Sequence, residues 1–218
     1  MPIKNSPPKV VIFDFDGTLA DTEGILRSIY KDVAREKGWA PLDRAKYRKL
    51  FTASIWDAAL WSRFLPWRLP YLVSESRSRL QQRASSIKLF PGMKKVVLEL
   101  HKADCELYVL SRNWQSTVQL VMDKNGLGSM VVALKKPGFF TKHKSVKKLI
   151  QQKAYAKDST WMIGDEVRDI YAAKRAGVLS IAVPWGFQDA ATLAKLLPTA
   201  VVGKAEDIVG IILKTEGK

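Results

Sequence analysis

The chain has 218 residues, 47% of them apolar, enough for one sizeable core with a modest insertion. Its 36 lysines and arginines outnumber 21 aspartates and glutamates, and the resulting net charge of +15 favours anionic partners. A lone Cys105 excludes an intramolecular disulfide and makes a reducing, cytoplasmic compartment the expectation, and one cysteine with two histidines cannot build an ordinary zinc site.

Residues 1–8, with three prolines, read as a loose leader lacking the apolar stretch of a signal peptide. No apolar run approaches the length of a membrane span, so no membrane partner is expected. Val10-Val11-Ile12-Phe13 then reads as a buried strand, and it delivers Asp14 and Asp16 just before Gly17-Thr18. At about 4 Å and an effective dielectric near 20, two carboxylates repel by roughly 4 kcal/mol. Such a pair shifts its pKa values, shares a proton or binds a cation. An Asp-Gly hairpin turn is the plainer alternative. However, Ile25, Leu26, Ile29, Tyr30 and Val33 follow at helical spacing, where a hairpin needs an alternating strand.

Residues 21–88 read as all-helical, with helices near 22–37, 43–51, 54–65 and 69–87 and breaks at Pro41, Pro66 and Pro70. Within them Arg63, Arg68, Arg77, Arg79 and Arg83 are interleaved with Trp56, Trp61, Trp67 and Tyr71. Arginine among aromatics can grip a nucleotide or single-stranded nucleic acid. The favoured reading is an aromatic core with arginines on its outer face, because a helical insert of this size needs such packing.

From residue 89 to 214, strands at 107–111, 131–134, 160–163 and 180–183 alternate with helices, the pattern of a parallel sheet covered on both faces. The first of these ends at Ser111, followed by Arg112 and Asn113. Phe139-Phe140 leads into Thr141-Lys142-His143-Lys144, just ahead of a helix marked by Val146, Leu149 and Ile150. Thr160-Trp161-Met162-Ile163 is followed by Gly164-Asp165-Glu166-Val167-Arg168-Asp169 and a helix ending at Gly177. Singly, each has a plain explanation: Ser111 and Asp165 as helix caps, Asp169 as a first-turn dipole partner, any lysine as solvated surface. Ligands of open α/β sheets bind beyond the carboxyl ends of parallel strands. If the strands are neighbours, four aspartates, a hydroxyl and a lysine meet there, the parts of a phosphate cradle. Nine lysines and no acidic residue lie between Lys124 and Lys157, a charge that can steer a phosphorylated substrate.

In order and approximate spacing, Asp14-Phe15-Asp16-Gly17-Thr18, Ser111, Lys142 and Gly164-Asp165 through Asp169 resemble the four motifs of the haloacid dehalogenase-like hydrolase superfamily. The likeness covers nearly the whole chain, including Asp21 and Ala182-Val183-Pro184-Trp185-Gly186-Phe187, and is nearest to phosphoglycolate phosphatase-like members with a helical cap. Lys142 matches the third motif because Val146 follows by four residues, with Lys144 and Lys136 as alternatives. The resemblance implies an α/β fold, a Rossmann-like three-layer parallel sheet with a small all-helical cap inserted after the first strand. The core would comprise residues 9–20 and 89–214, the cap 21–88, with hinges at 21–24 and 89–92.

The same resemblance implies a Mg²⁺-dependent phosphatase of a small phosphorylated metabolite. Asp14 would be the nucleophile and Asp16 the general acid and base. The Asp14 carboxylate, the Asp16 carbonyl and Asp165 would hold Mg²⁺, with Asp169 orienting its shell. Ser111, Arg112, Asn113 and Lys142 would bind substrate. The dehalogenases that name the superfamily lack the second aspartate, so Asp16 points to phosphoryl transfer. Glu166 departs from the small hydroxyl residue common in relatives and is expected to face solvent. Two rivals remain at this stage: a phosphoglucomutase-like phosphoryl transferase, and a catalytically idle basic module that binds nucleic acid.

Overall fold

The computed structural model describes residues 8–52, 68–135 and 141–214. In chain order its elements begin with β1 (Val10–Phe13), β2 (Ala20–Asp21), α1 (Glu23–Glu36), α2 (Arg44–Thr52), α3 (Arg68–Gln82), β3 (Lys88–Leu89) and α4 (Met93–Lys102). There follow β4 (Glu106–Val109), α5 (Gln115–Lys124), β5 (Val131–Ala133), α6 (Lys142–Lys153), β6 (Thr160–Gly164) and α7 (Val167–Ala176). The chain closes with β7 (Leu179–Ala182), α8 (Ala190–Ala194), β8 (Ala200–Val201) and α9 (Glu206–Lys214).

Six strands form one parallel sheet in the order β5-β4-β1-β6-β7-β8. β1 is central and fully buried because its run is apolar on both faces. Val11 and Phe13 enter the core that also holds Val96, Val97 and Leu100 of α4, Val118 and Val121 of α5, and Ile208 and Ile212 of α9. Val10 and Ile12 face the opposite way, into a second core with Val146, Leu149 and Ile150 of α6 and Ala173 and Ala176 of α7. The period of two in β1 thus generates a three-layer molecule from a four-residue strand.

Two short strands were not expected. Asp21 and Lys88, both placed in an all-helical stretch, pair antiparallel in β2 and β3, and Ala20 pairs with Leu89. Two residues are too few to display a period. The pairing brings together the two ends of the 21–88 segment, and the Phe90 N–H adds a bond to the Leu19 carbonyl at 2.9 Å. β8 was likewise too short to read. Between β2 and β3, α1 packs on α3 through Leu26, Ile29, Tyr30 and Val33 on one side and Leu72 and Leu80 on the other. The expected 69–87 helix ends at Gln82, and a 3-10 turn at 84–86 follows. The expected 54–65 helix, with Trp56, Trp61, Arg63 and Trp67, lies outside the described residues, as do Lys136, Phe139 and Phe140.

Candidate active site

Register sets the site. Phe13 is level with Val109 on one side and Ile163 on the other, so β1, β4 and β6 end together. The residues that follow, Asp14, Leu110-Ser111 and Gly164-Asp165, therefore share one edge. The chain builds β1, β4 and β5 outward in one direction and then returns to start β6 on the other side of β1. That reversal opens the crevice in which α/β folds place ligands. No hairpin follows β1: the chain turns at Gly17, φ +82°, and enters β2.

Asp14 is 9% exposed. Its Oδ1 accepts the Phe15 N–H at 2.8 Å and faces the Lys142 ammonium at 3.0 Å. Both donors fall on one oxygen, and Oδ2 has no protein donor among the described residues. Lys142 is the first residue of α6 rather than the residue before it. Its ammonium also reaches Asp169 Oδ1 at 2.5 Å. Burial works against the Lys142 charge, but Asp14 and Asp169 outweigh it and raise its pKa. Lys144 is exposed.

Asp165 is wholly buried and accepts two bonds, from the Thr18 hydroxyl at 2.7 Å and the Phe187 N–H at 2.8 Å. Two glycines make room for it: a Cβ on Gly17 or on Gly186 would stand 2.2 Å from its Oδ2. Burial and the charges of Glu166, Asp14 and Asp169 push its pKa well above the carboxylate range. Asp169, equally buried, is pushed up to about 7 by burial and by Asp14 and Glu166, against the pull of Lys142. Carboxylate oxygens of Asp14, Asp165 and Asp169 all lie within 4.8 Å of one another. Three buried carboxylates, with the charged forms of Asp165 and Asp169 disfavoured, make an oxygen-only set suited to a hard divalent cation.

Asp16 stands apart from that set. Its Oδ1 accepts the Thr22 hydroxyl at 2.9 Å and its Oδ2 the Asn113 amide at 2.7 Å. Burial and the Asp14 charge raise its pKa to about 6 in spite of Thr22, Arg112 and Asn113. Thr22 precedes α1 but gives that helix no side-chain cap, because its hydroxyl is committed to Asp16.

The capping alternatives are resolved by the same geometry. α5 begins at Gln115 with Trp114 as its N-cap, so Ser111 caps nothing, and its buried Oγ accepts the Asn113 N–H at 3.0 Å. Glu166, not Asp165, caps α7 in a reciprocal box with Asp169, whose Oδ2 accepts the Glu166 N–H at 3.1 Å. The expectation that Glu166 faces solvent is therefore corrected: it is 6% exposed and ion-paired with Arg168. Arg112 is partly buried, and its pKa is lowered by burial and by Arg168, against Glu166, Asp14 and Asp16. Thr22, Asn113 as the partner of Asp16, Gly186 and the Phe187 N–H were not identified as site parts. Thr18 and Gly186-Phe187 were visible only as members of matched segments.

The chain as a whole has known relatives. The haloacid dehalogenase-like hydrolase family model matches residues 11–183. The chain belongs to that family. It is 27% identical over 203 residues to a phosphoglycolate phosphatase of Synechococcus elongatus, covering 92% of this chain and 95% of that one. It is 21% identical to the pyrophosphatase PpaX of Oceanobacillus iheyensis, covering 94% and 96% respectively. A haloacid dehalogenase-like hydrolase from Streptococcus pneumoniae shares its fold with a TM-score of 0.80 at 20% identity, over 94% of this chain and 98% of that one. Among the described residues no helix is long and apolar enough to cross a membrane.

Proposed function

We propose that this family member is a Mg²⁺-dependent phosphatase that hydrolyses a small phosphorylated metabolite through an aspartyl-phosphate on Asp14. The observation that carries this reading is the division of labour between two neighbouring carboxylates. Asp14 Oδ1 is held by the Phe15 N–H and Lys142, which leaves the other oxygen to attack phosphorus. Asp16, held separately by Thr22 and Asn113, has a pKa near 6 and can carry a proton close to neutral pH. Carboxylates whose environments differ in this way suit distinct nucleophile and acid–base roles.

Asp16 protonates the leaving oxygen as Asp14 attacks, then takes a proton from the water that hydrolyses the aspartyl-phosphate. Lys142 offsets charge on the transferring phosphoryl group, and Ser111 is free to donate its hydroxyl to a phosphoryl oxygen. Asp14 and Asp165, with the Asp16 carbonyl, would hold Mg²⁺, and Asp169 would orient its shell while anchoring Lys142. The fit is supported by the clustered oxygens and by the two glycines that admit the Asp165 carboxylate. The ion would supply charge neutralisation for phosphate and Asp14 together.

In the same reading, residues 9–20 and 89–214 are the catalytic core and residues 21–88 a helical cap joined through the β2–β3 pair. Closure of such a cap excludes water and strengthens electrostatics within the site. The phosphatase names of two full-length relatives support the reaction class, and the single, buried Cys105 fits a cytoplasmic setting. The test is a screen of phosphorylated metabolites with Mg²⁺, reading released inorganic phosphate. Stoichiometric release on at least one ester is expected. Transfer of the phosphoryl group to a second acceptor without release indicates a mutase. Salt-sensitive nucleic-acid binding without any turnover indicates an idle module.

A further inference from the structure

Arg48 of α2 joins the inserted segment to the loop that holds Asp165. Its Nη2 donates to Glu23 Oε2 at 2.7 Å, at the first residue of α1, and to the Gly186 carbonyl at 3.0 Å. One guanidinium nitrogen carries two hydrogens, so it can serve both acceptors. Gly186 is buried, and a buried carbonyl left without a donor is costly. The peptide to which this carbonyl belongs also carries the Phe187 N–H, the group that donates to Asp165 Oδ2 at 2.8 Å. A trans peptide unit is planar, so its carbonyl and N–H point in opposite directions and turn together. Arg48 therefore fixes, from the far side of one peptide plane, the N–H that orients Asp165. A charge-assisted bond at the carbonyl also polarises the N–H and strengthens its bond to the carboxylate.

The residue at the hinge of this plane cannot hold it alone. A Cβ at position 186 would stand 2.2 Å from Asp165 Oδ2 and 2.3 Å from the Gly17 carbonyl oxygen, so no side chain fits there. Glycine restrains its own backbone least of all residues. The Trp185 indole N–H, bonded to the Thr18 carbonyl at 3.2 Å, anchors the chain before the glycine but leaves the following peptide free to rotate. Asp165 accepts a single bond on each oxygen, from Thr18 and from Phe187, which leaves each a lone pair for a cation. We propose that Arg48 is a positioning residue for Asp165, acting through the Gly186–Phe187 peptide, so that docking of the inserted helices and assembly of the cation site are linked. The proposal rests on the metal-dependent reading and adds a residue from outside the catalytic core.

Arg48→Met keeps the length of the side chain and removes both of these bonds. Arg44→Met is the control, because Arg44 holds the same Glu23, at 2.8 and 3.1 Å, with no bond to Gly186 among the described residues. In metal-free protein, hydrogen exchange read by NMR should show the Phe187 amide about tenfold faster in Arg48→Met, the worth of one charge-assisted bond. Calorimetric titration with Mg²⁺ alone should show an affinity about tenfold weaker, as for other groups that orient a metal ligand from behind. Arg48→Lys should recover part of both losses, and Arg44→Met should stay within twofold of wild type in both. Phe187 exchange within twofold of wild type in Arg48→Met overturns the proposal. So does an increase shared equally by the amides of β6, which would make Arg48 a structural residue only. An unchanged Mg²⁺ affinity beside a faster Phe187 amide also overturns it, because the restraint would then not reach Asp165. A wild type that binds no Mg²⁺ would instead count against the metal-dependent reading, and Phe187 exchange would still decide whether Arg48 holds the peptide.

Discussion

The Asn113 side-chain amide donates to Asp16 at 2.7 Å and ties the loop after β4 to the loop after β1. The bond favours the charged carboxylate, so its loss should raise the Asp16 pKa beyond about 6. If the protonated form serves as general acid, the alkaline limb of kcat/KM should move to higher pH in Asn113→Ala. Lost positioning should also lower kcat about tenfold. PH–rate profiles of the two proteins check this. A uniform loss of rate with an unmoved limb would make Asn113 a structural residue only.

The raised Asp16 pKa carries a stability consequence of defined sign. Its folded value, about 6, exceeds the ordinary 3.8, so the folded state binds the proton more tightly. The wild type therefore loses stability as pH rises from about 4 through about 6. Asp16→Asn removes the ionisation, so in metal-free protein the variant should gain on wild type across that interval. Glu23, lowered to about 2, has the opposite sign, but its window lies below pH 4.5 and does not overlap most of this one. Urea titrations in EDTA at pH 4, 5, 6 and 7 measure the difference. A constant offset would contradict the assigned shift.

Asp165→Asn should weaken Mg²⁺ binding and activity together, because it removes a buried ligand charge. Binding to the native state alone stabilises by about 2.7 kcal/mol at a hundred times Kd, so Mg²⁺ should raise the wild-type Tm by several degrees. The same Mg²⁺ should leave the Asp165→Asn Tm nearly unchanged. Calorimetric melts with and without the ion, after EDTA treatment, decide this. Equal responses would move the metal elsewhere.

Lys142→Ala should lower kcat by about a hundredfold or more, as for other preorganised charge-stabilising groups. Lys144→Ala should stay within about twofold, because its side chain is exposed. Steady-state kinetics on any accepted ester separates them. A severe Lys144→Ala effect beside a mild Lys142→Ala effect would shift the phosphate lysine by two residues.

The sheet and the acidic cluster were legible because each rests on a local signal. VVIF is too apolar for a strand exposed on either face, and carboxylates placed immediately after such strands have few structural uses. Helical spacing after Lys142 was also readable, and it located the lysine to within one residue of its place in α6. The strands β2, β3 and β8 were not legible, because two residues show no period. Nor were the contacts made by Thr22 and Asn113 with Asp16, which join residues 6 and 97 positions apart. Glu166 misled because an acidic residue beside an aspartate suggests a solvated surface. Its burial is made possible by Arg168, two residues on, and by the reciprocal cap with Asp169. Asn113, read as a substrate ligand, hydrogen-bonds a carboxylate of the site itself.

The central claim is that Asp14 carries the phosphoryl group during turnover, and rapid acid quenching with a ³²P-labelled ester followed by peptide mapping tests it most directly. The label should appear on the peptide containing Asp14, be released by mild base as an acyl phosphate, and vanish in Asp14→Asn, whose fold should survive the nearly isosteric change. Label on Ser111, or full turnover by Asp14→Asn, would contradict the account.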